Sequence, residues 1–382
     1  MAKNKINILI DYIDPVKGIR NNVLGKLDDE IVTEKTIIPE IMEYIFEGYD
    51  IKYIPSFFVD EVDTWIYPIV IDFYSYSFMN SLFTSGHINV SIRNHIPKRV
   101  KQLASENKGK ICIIIREPVA DIEKFINVCT NHYSDFIFLL IHHVDATNIF
   151  TINTAFNLTH YSRKPENNIS TYDNRNFSLF LTHFEETIER HLLLSFLEKS
   201  NLISKGFISA KNNGRDFDKT LLKTNTSKFP NQKASFTSYD NVFDYLPIKD
   251  TLNKTLFNIV IDDTLLDEKY IIITEKIYRC FEEKKPFLLY AQKNTLKHLN
   301  NLGYKTFASV INEDYDSYET PEERFKAFLK EIHRLGNKTY TELSRDFDKL
   351  HDILEHNKEH VKKLRVETTD KIFNAINHSN FN

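Results

Sequence analysis

The fold class is clearest in Tyr270–Phe307, which has the sequence YIIITEKIYRCFEEKKPFLLYAQKNTLKHLNNLGYKTF. An apolar run that predicts a strand leads straight into a segment with helical spacing, Thr274–Glu283. A second apolar run, Pro286–Ala291, and a second helical segment, Lys293–Leu302, follow directly. This alternation of periods is typical of βαβ units and a mostly parallel sheet, so the sequence predicts an α/β protein.

The same alternation extends in both directions. Further strands are predicted at Ile6–Asp11, Ile51–Phe58, Trp65–Phe73, Lys110–Arg116, Asp135–His142, Phe177–Thr182 and Leu256–Ile261. Further helices are predicted at Thr33–Phe46, Val119–Cys129, Glu185–Lys199 and, in several pieces, from Pro321 onward.

One polar stretch without periodicity, Arg163–Arg175 (RKPENNISTYDNR), predicts a domain boundary. We therefore expect an N-terminal α/β lobe at 1–165, a second α/β lobe at 176–335 and C-terminal helices at 336–382 that pack across the lobes. Ligands of open α/β sheets bind beyond the carboxyl ends of the strands, which is where functional residues are expected.

The amino-acid composition disfavours several classes of function. With 42% hydrophobic and 27% charged residues the chain is expected to fold, and a formal charge of −4 disfavours a uniformly cationic surface. Only nine glycines occur, and none form a dinucleotide-binding or P-loop motif, which disfavours dehydrogenases, P-loop NTPases and protein kinases. Three scattered cysteines and no leader or long apolar run predict a cytoplasmic protein without a membrane span.

The start of the predicted helix at Thr274 carries groups suited to a nucleoside diphosphate. Thr274 is the expected N-cap, Lys276 adds a cation beside the positive end of the helix dipole, and Glu275 is an acceptor for a ribose diol. A Thr-capped helix with an exposed Glu-Lys pair is also a common structural feature, and the residues alone leave that alternative open.

This region resembles a family of glycosyltransferase-like proteins common in large tailed phages and related viruses. Its Glu-Lys helix is similar to the nucleotide-sugar segment of α-1,3-fucosyltransferases. The matching residues are Thr274, Glu275, Lys276, Tyr278, Arg279, Pro286, Phe287, Leu299, Leu302, Gly303, Tyr304, Lys305, Thr306, Phe307, Asp314, Tyr315 and Asp316. Phe180–Ser209 and Ile353–Val361 resemble two further family segments, so about 120 residues of the second half are covered and the first half resembles no family.

The resemblance implies a GT-B-like fold of two Rossmann-like lobes, with the nucleotide sugar on the second lobe, the acceptor on the first, and no obligatory metal or further cofactor. It implies that Glu275 binds the ribose, Lys276 the diphosphate, and Arg190 or Arg279 the leaving phosphates. Thr274 and His183 complete the implied donor site.

The sequence departs from the family at two places. Ala291 and Gln292 stand where the family has a small residue and a glycine, and Cys280 replaces a frequent proline. We expect a donor loop of different shape.

A sugar transfer with inversion needs a general base, which is sought at strand ends of the first lobe. Glu117 follows the run ICIIIR and is the first choice, although a loop carboxylate without catalytic function fits the same position. Alternatives are Asp11, His142, His143 and Asp145. Both histidines are not expected to bind one metal ion, because neighbouring residues of a strand point to opposite faces.

Two charged motifs are expected to have structural rather than catalytic roles. Asp314–Tyr315–Asp316 is similar to an Asp-x-Asp metal clamp, but it follows a loop, so capping or loop fixing is favoured over contact with the donor. Lys358–Arg365 (KEHVKKLR) is basic, and a solvated face is favoured over a contact with nucleic acid.

The sequence therefore predicts a glycosyltransferase that moves a sugar from a nucleotide donor to an unknown acceptor. One alternative is a phage enzyme that modifies hydroxymethylated DNA bases, which would work in the host cytoplasm. The other is an inactive α/β module that binds a nucleotide or a protein, an idea supported by the missing glycine near Ala291.

Overall fold

The structure is a computed structural model, and it describes residues 4–10, 12–14, 18–20, 23–24, 42–43, 45–71, 96–115, 127, 136–140, 149–151, 172–181, 188–210, 242–243, 246–262, 271 and 273–377. The chain divides into two compact units. Unit 1 comprises Met1–Ser162, Lys269–Ile273 and Lys363–Asn382, and unit 2 comprises Arg163–Glu268 and Thr274–Lys362.

Unit 1 contains a parallel sheet with the strand order β5-β1-β6-β7-β8-β9, and β4 pairs with β6. The strands in chain order are β1 Lys5–Ile10, β2 Tyr12–Asp14, β3 Gly18–Arg20, β4 Val23–Leu24, β5 Asp50–Pro55, β6 Trp65–Ile71, β7 Lys110–Ile115, β8 Phe136–Leu140 and β9 Ile149–Thr151. Strands β2 and β3 form a separate antiparallel pair. Helix α1, Lys98–Ser105, belongs to this unit and packs against β7.

Unit 2 contains a second parallel sheet, with the order β12-β11-β10-β13-β14. Its strands are β10 Arg175–Leu181, β11 Gly206–Ala210, β12 Val242–Phe243, β13 Thr255–Ile261 and β14 Phe287–Tyr290. Its helices are α2 Ile188–Lys199, α3 Ile248–Asn253, α4 Glu275–Glu282, α5 Thr295–Asn301, α6 Pro321–Gly336 and α7 Tyr340–Phe347. A final helix, α8, runs from His351 to Asn377.

Apolar strand sequences and capping residues at helix starts explain why these elements form. Strand β13 reads TLFNIVI and is buried at six of its seven residues, as expected for a parallel strand covered on both faces. Helix α6 starts at Pro321 behind Thr320, whose hydroxyl accepts a hydrogen bond from the Glu323 amide. Helix α7 starts with a capping box between Thr339 and Glu342.

The first part of helix α8, up to Lys362, belongs to unit 2, and the part from Lys363 onward belongs to unit 1. In unit 2, the Asn357 side chain accepts from the Lys305 amide and donates to the Lys305 carbonyl, both at 2.8 Å. In unit 1, Ile372, Ala375 and Ile376 join the core formed around β1, β6, β7 and β8. Thr369 donates to the backbone carbonyl of Ile45 in the same unit.

The α/β prediction is confirmed, with two parallel sheets and a helical C-terminal region. Most of the predicted strands and helices occur within a few residues of their expected bounds, whereas Thr33–Phe46 and Val119–Cys129 lie largely outside the described residues.

Two strand predictions are wrong in part. The predicted strand Ile51–Phe58 ends at Pro55, because proline lacks the N–H that a ladder needs, and Ser56–Glu61 forms a 3₁₀ helix. The apolar run before Thr274 is not a strand where it is described: Ile271 and Ile273 lie outside regular structure, and Ile273 is buried by packing instead.

Candidate functional site

The candidate site lies at the carboxyl edge of the unit 2 sheet, where β13 and β14 end side by side. Strand β13 ends at Ile261, which lies opposite Tyr290 of β14. The next residue, Asp262, donates its amide hydrogen to the Tyr290 carbonyl at 2.9 Å. Its side chain is 3% exposed, so a carboxylate is buried directly at the strand end.

Asp262 holds the first turn of α4. The Thr274 hydroxyl lies 2.8 and 2.9 Å from the two carboxylate oxygens, and Lys276 Nζ donates to Oδ1 at 3.1 Å. A buried carboxylate needs such donors, because burial of a charge without them is costly. The ammonium of Lys276 is thereby fixed beside the positive end of the α4 dipole.

Thr274 has the position expected of it but a different function. It is the N-cap residue of α4, with extended backbone angles of −87° and 170°. Its side chain makes no capping hydrogen bond and is directed to Asp262 instead. The prediction that Thr274 is the N-cap residue is therefore confirmed, but the helix start is fixed through the neighbouring strand end and not by a threonine capping bond.

The structure brings together three of the predicted donor residues. Thr274, Glu275 and Lys276 share the start of α4, where Lys276 Nζ is also 3.9 Å from a Glu275 oxygen and the two side chains are 20% and 24% exposed. Arg279 lies one turn further along and is half-buried. Arg190 is 4% exposed within α2.

The other predicted residues lie outside the described part of the chain. This applies to the donor residue His183 and to the general-base candidates, which are Glu117, Asp11, His142, His143 and Asp145. Their roles remain predictions.

Asp262 is the residue that the sequence reasoning missed. The available signal was its position, since it follows the buried run NIVI directly and a carboxylate at the carboxyl end of a parallel strand is well placed for a ligand. Its partners, Thr274 and Lys276, are 12 and 14 residues further along the chain, so only the fold shows their contact.

A second loop leaves the same edge after β14. Gln292 is 3% exposed, and its carbonyl accepts from the Thr295 hydroxyl at 2.6 Å. Asn294 has a left-handed backbone with φ of 64°, and its amide donates to the Asp316 carbonyl at 2.8 Å. Lys293 lies between them and pairs with Glu319 at 2.5 Å.

Asp316 caps helix α5. One of its carboxylate oxygens accepts from the amides of Leu296 at 3.1 Å and Lys297 at 3.3 Å. The neighbouring Tyr315 is buried, and its hydroxyl accepts from the Leu289 amide of the edge strand β14 at 3.3 Å. The predicted capping and loop-fixing role of Asp314–Tyr315–Asp316 is confirmed.

The family-like segments Leu299–Phe307 and Ile353–Val361 meet in the structure. His360 and His356 contact the carbonyls of Leu302 and Gly303 through Nε2 at 2.6 and 2.9 Å. Gly303 has φ of 92°, and a Cβ there would lie 2.7 Å from the His360 ring. These residues therefore fix the end of α5 onto α8.

Comparison with known proteins yields only distant similarity. No protein-family model matches the sequence, and no curated protein matches it. A crystal structure of a TarM mutant of S. aureus, in complex with fondaparinux, α-GlcNAc-glycerol and UDP, has 12% identity and a TM-score of 0.40 over 82% of this chain and 55% of that chain. The glycotransferase of kitacinnamycin has 9% identity and a TM-score of 0.38 over 98% of this chain and 100% of that chain.

Both structural similarities are low. The chain spans about half the length of the TarM chain, and at such TM-scores neither likeness carries an argument about function.

In the part of the chain that the structure describes, no group of three or more His, Cys, Asp or Glu side chains is arranged to hold a metal ion. No described helix combines the length and apolar character that crossing a membrane requires.

Proposed function

We propose that the chain is a glycosyltransferase whose unit 2 binds the nucleotide-sugar donor at the carboxyl edge of its sheet. The observation that carries this proposal is the position of Lys276. Its ammonium is fixed by the buried Asp262 at the start of α4, beside the carboxyl ends of two parallel strands. Ligands of open parallel sheets bind at such an edge.

The chemistry of sugar transfer fits these groups. The bond from the sugar to the diphosphate breaks, a bond to an acceptor hydroxyl forms, and the acceptor proton goes to a base. The leaving diphosphate accumulates negative charge, which fixed cations and a helix dipole stabilise without a metal. Lys276 and the α4 amides supply this at one point of the edge, and Glu275 is the acceptor for ribose hydroxyls.

The remaining roles are carried by residues that the sequence singles out. Arg279 or Arg190 is proposed for the leaving phosphates. Glu117 is proposed as the general base on the acceptor side, with Asp11, His142, His143 and Asp145 as alternatives. The donor is the co-substrate, and no further cofactor or metal is proposed.

The test is titration calorimetry of the full chain with UDP, GDP, CDP, ADP and dTDP, with and without Mg²⁺. Replacing Lys276 with alanine is expected to weaken binding of the preferred diphosphate by about 1.5–3 kcal/mol, the range for hydrogen bonds to charged groups. Lys362→Ala is the control, because Lys362 pairs with Glu359 on α8 and should leave the affinity unchanged. Equal affinity of wild type and a folded Lys276→Ala variant would remove Lys276 from the site.

The acceptor remains a separate proposal. A DNA-modifying version of the enzyme, acting on hydroxymethylated bases, requires binding of DNA that weakens steeply with salt. The cations of α8 offer it little support, because Lys362, Lys363 and Arg365 lie beside the carboxylates of Glu359, Glu367 and Glu47. An inactive binding module would instead show diphosphate binding without any sugar transfer.

A further inference from the structure

We propose that Lys293 is a second phosphate-binding residue of this site. Until a diphosphate binds, the Glu319 carboxylate forms an ion pair with the Lys293 ammonium. This inference deepens the proposed function and rests on it.

The first support is the position of Lys293 in the sheet. Strands β13 and β14 are adjacent and parallel, with Ile261 opposite Tyr290. Lys276 is anchored on the residue that follows β13, and Lys293 is the third residue after β14. Neighbouring strands are about 4.8 Å apart. Lys276, bound to the residue that follows β13, and Lys293, in the loop after β14, therefore both belong to the carboxyl edge of the sheet.

The second support is that Lys293 is held in place. Its side chain is 24% exposed, close to the 20% of Lys276, whereas lysine side chains are mostly exposed in proteins. The residues on both sides are fixed, because the Gln292 carbonyl accepts from Thr295 and the Asn294 amide donates to the Asp316 carbonyl. A side chain on a fixed backbone loses less freedom when it binds an anion than one on a mobile loop.

The third support is the difference between the two carboxylate partners. Asp262, the partner of Lys276, is 3% exposed and also holds Thr274. Glu319, the partner of Lys293, is 82% exposed and makes its ion pair at the surface. Exposed ion pairs contribute about 0.2–1 kcal/mol. Glu319 can therefore turn into solvent at small cost, which leaves Lys293 to a more highly charged anion.

Two consequences follow. A diphosphate at this edge is contacted by two cations, Lys276 at the start of α4 and Lys293 in the loop after β14. Glu319 competes with that anion, and its removal should strengthen anion binding. If the Lys293–Glu319 ion pair were purely structural, removal of Glu319 would not strengthen anion binding.

The test measures binding of inorganic pyrophosphate to the full chain by titration calorimetry. Pyrophosphate is chosen because it represents the diphosphate of any nucleotide-sugar donor. Four proteins are compared with wild type: Lys293→Gln, Glu319→Gln, the double variant, and Glu322→Gln as the control. Glu322 pairs with Lys326 at 2.7 Å on α6, so its replacement changes the net charge equally without releasing Lys293.

The expected pattern has opposite signs. Glu319→Gln should bind pyrophosphate about 1.5- to 5-fold more tightly than wild type, the fold-change that corresponds to a lost exposed pair. Lys293→Gln should bind it roughly tenfold more weakly. The double variant should match Lys293→Gln, and Glu322→Gln should match wild type.

Several results would overturn the inference. They are an unchanged affinity of Glu319→Gln, an equal gain in Glu322→Gln, or a gain that persists when Lys293 is already replaced. If Lys276→Ala abolishes pyrophosphate binding while the Lys293 and Glu319 variants match wild type, the inference fails and the proposed function stands. If folded wild-type protein binds neither pyrophosphate nor any nucleoside diphosphate, the proposed function fails and the inference fails with it.

Discussion

At the scale of single residues, Glu313 shows how burial makes stability depend on pH. The Glu313 carboxylate accepts from the Phe307 amide at 2.7 Å. Burial raises the pKa of this carboxyl, and the hydrogen bonds from Thr306 and Phe307 offset only part of the effect. The folded chain therefore keeps a proton on Glu313 at pH values where the unfolded chain has lost it, so the carboxyl favours folding less as pH rises through that window.

We expect Glu313→Gln to remove this dependence, because glutamine keeps the acceptor for Phe307 without a charge. As the pH falls from neutral towards the ordinary pKa of a glutamate side chain, wild type should gain stability relative to the variant. Urea denaturation of both proteins across this range measures the difference. Stability curves that run parallel over the whole range would contradict the assignment.

At the scale of elements, helix α5 depends on a cap supplied from elsewhere in the chain. Its N-cap residue, Asn294, makes no side-chain capping bond, and the amides of Leu296 and Lys297 donate to Asp316 instead. A carboxylate at a helix start also interacts favourably with the dipole. The cap thus fixes both α5 and the loop that carries Lys293.

Asp316→Ala is expected to lower the free energy of unfolding by about 1 kcal/mol, the usual cost of losing a helix cap. Asp314→Ala is the matched control, because Asp314 is exposed two residues away, and it should change stability by less than about 0.5 kcal/mol. Denaturant titration compares the three proteins. Equal losses in both variants would mean that the acidic motif acts as a unit rather than through the cap.

At the scale of the whole molecule, helix α8 couples the stability of the chain's end to its beginning. Its last turns place Ile372 and Ile376, which are 1% and 4% exposed, into the core of unit 1. The Tyr49 hydroxyl of that unit donates to Asp370 at 2.8 Å. The first turns of α8 bind unit 2, because the Asn357 side chain forms hydrogen bonds with the Lys305 backbone.

A chain that stops after Lys362 should therefore lose order in unit 1 and keep it in unit 2. Loss of even one large buried aliphatic side chain costs about 2–5 kcal/mol, and the truncation removes several. Hydrogen exchange by mass spectrometry should show reduced protection in β1 and β6 and unchanged protection in β10 and β13. Full protection of β1 in the shortened chain would show that the helix end is dispensable.

Elements with long and uniform patterns were the predictable part. Runs such as ICIII of β7 and NIVI of β13 are too apolar to be anything but buried, and the stripe of Phe325, Phe328 and Ile332 in α6 has helical spacing. Short segments were less predictable. The GFISA run of β11 and the charged helix α1 are not predicted, because five to eight residues with a glycine or with three basic side chains fit a loop equally well.

The α/β class, the alternation of strands and helices, and the start of α4 with its Glu-Lys pair follow from the sequence alone, because hydrophobic periodicity and N-cap preferences depend on a few neighbouring residues. The contacts that those residues make follow only from the tertiary fold. Asp262, Thr274 and Lys276 meet across a strand end, Lys293 meets Glu319, and Asp316 meets the start of α5. Such contacts depend on which strands pair and in what register, and that arrangement is set by burying the whole set of apolar faces together.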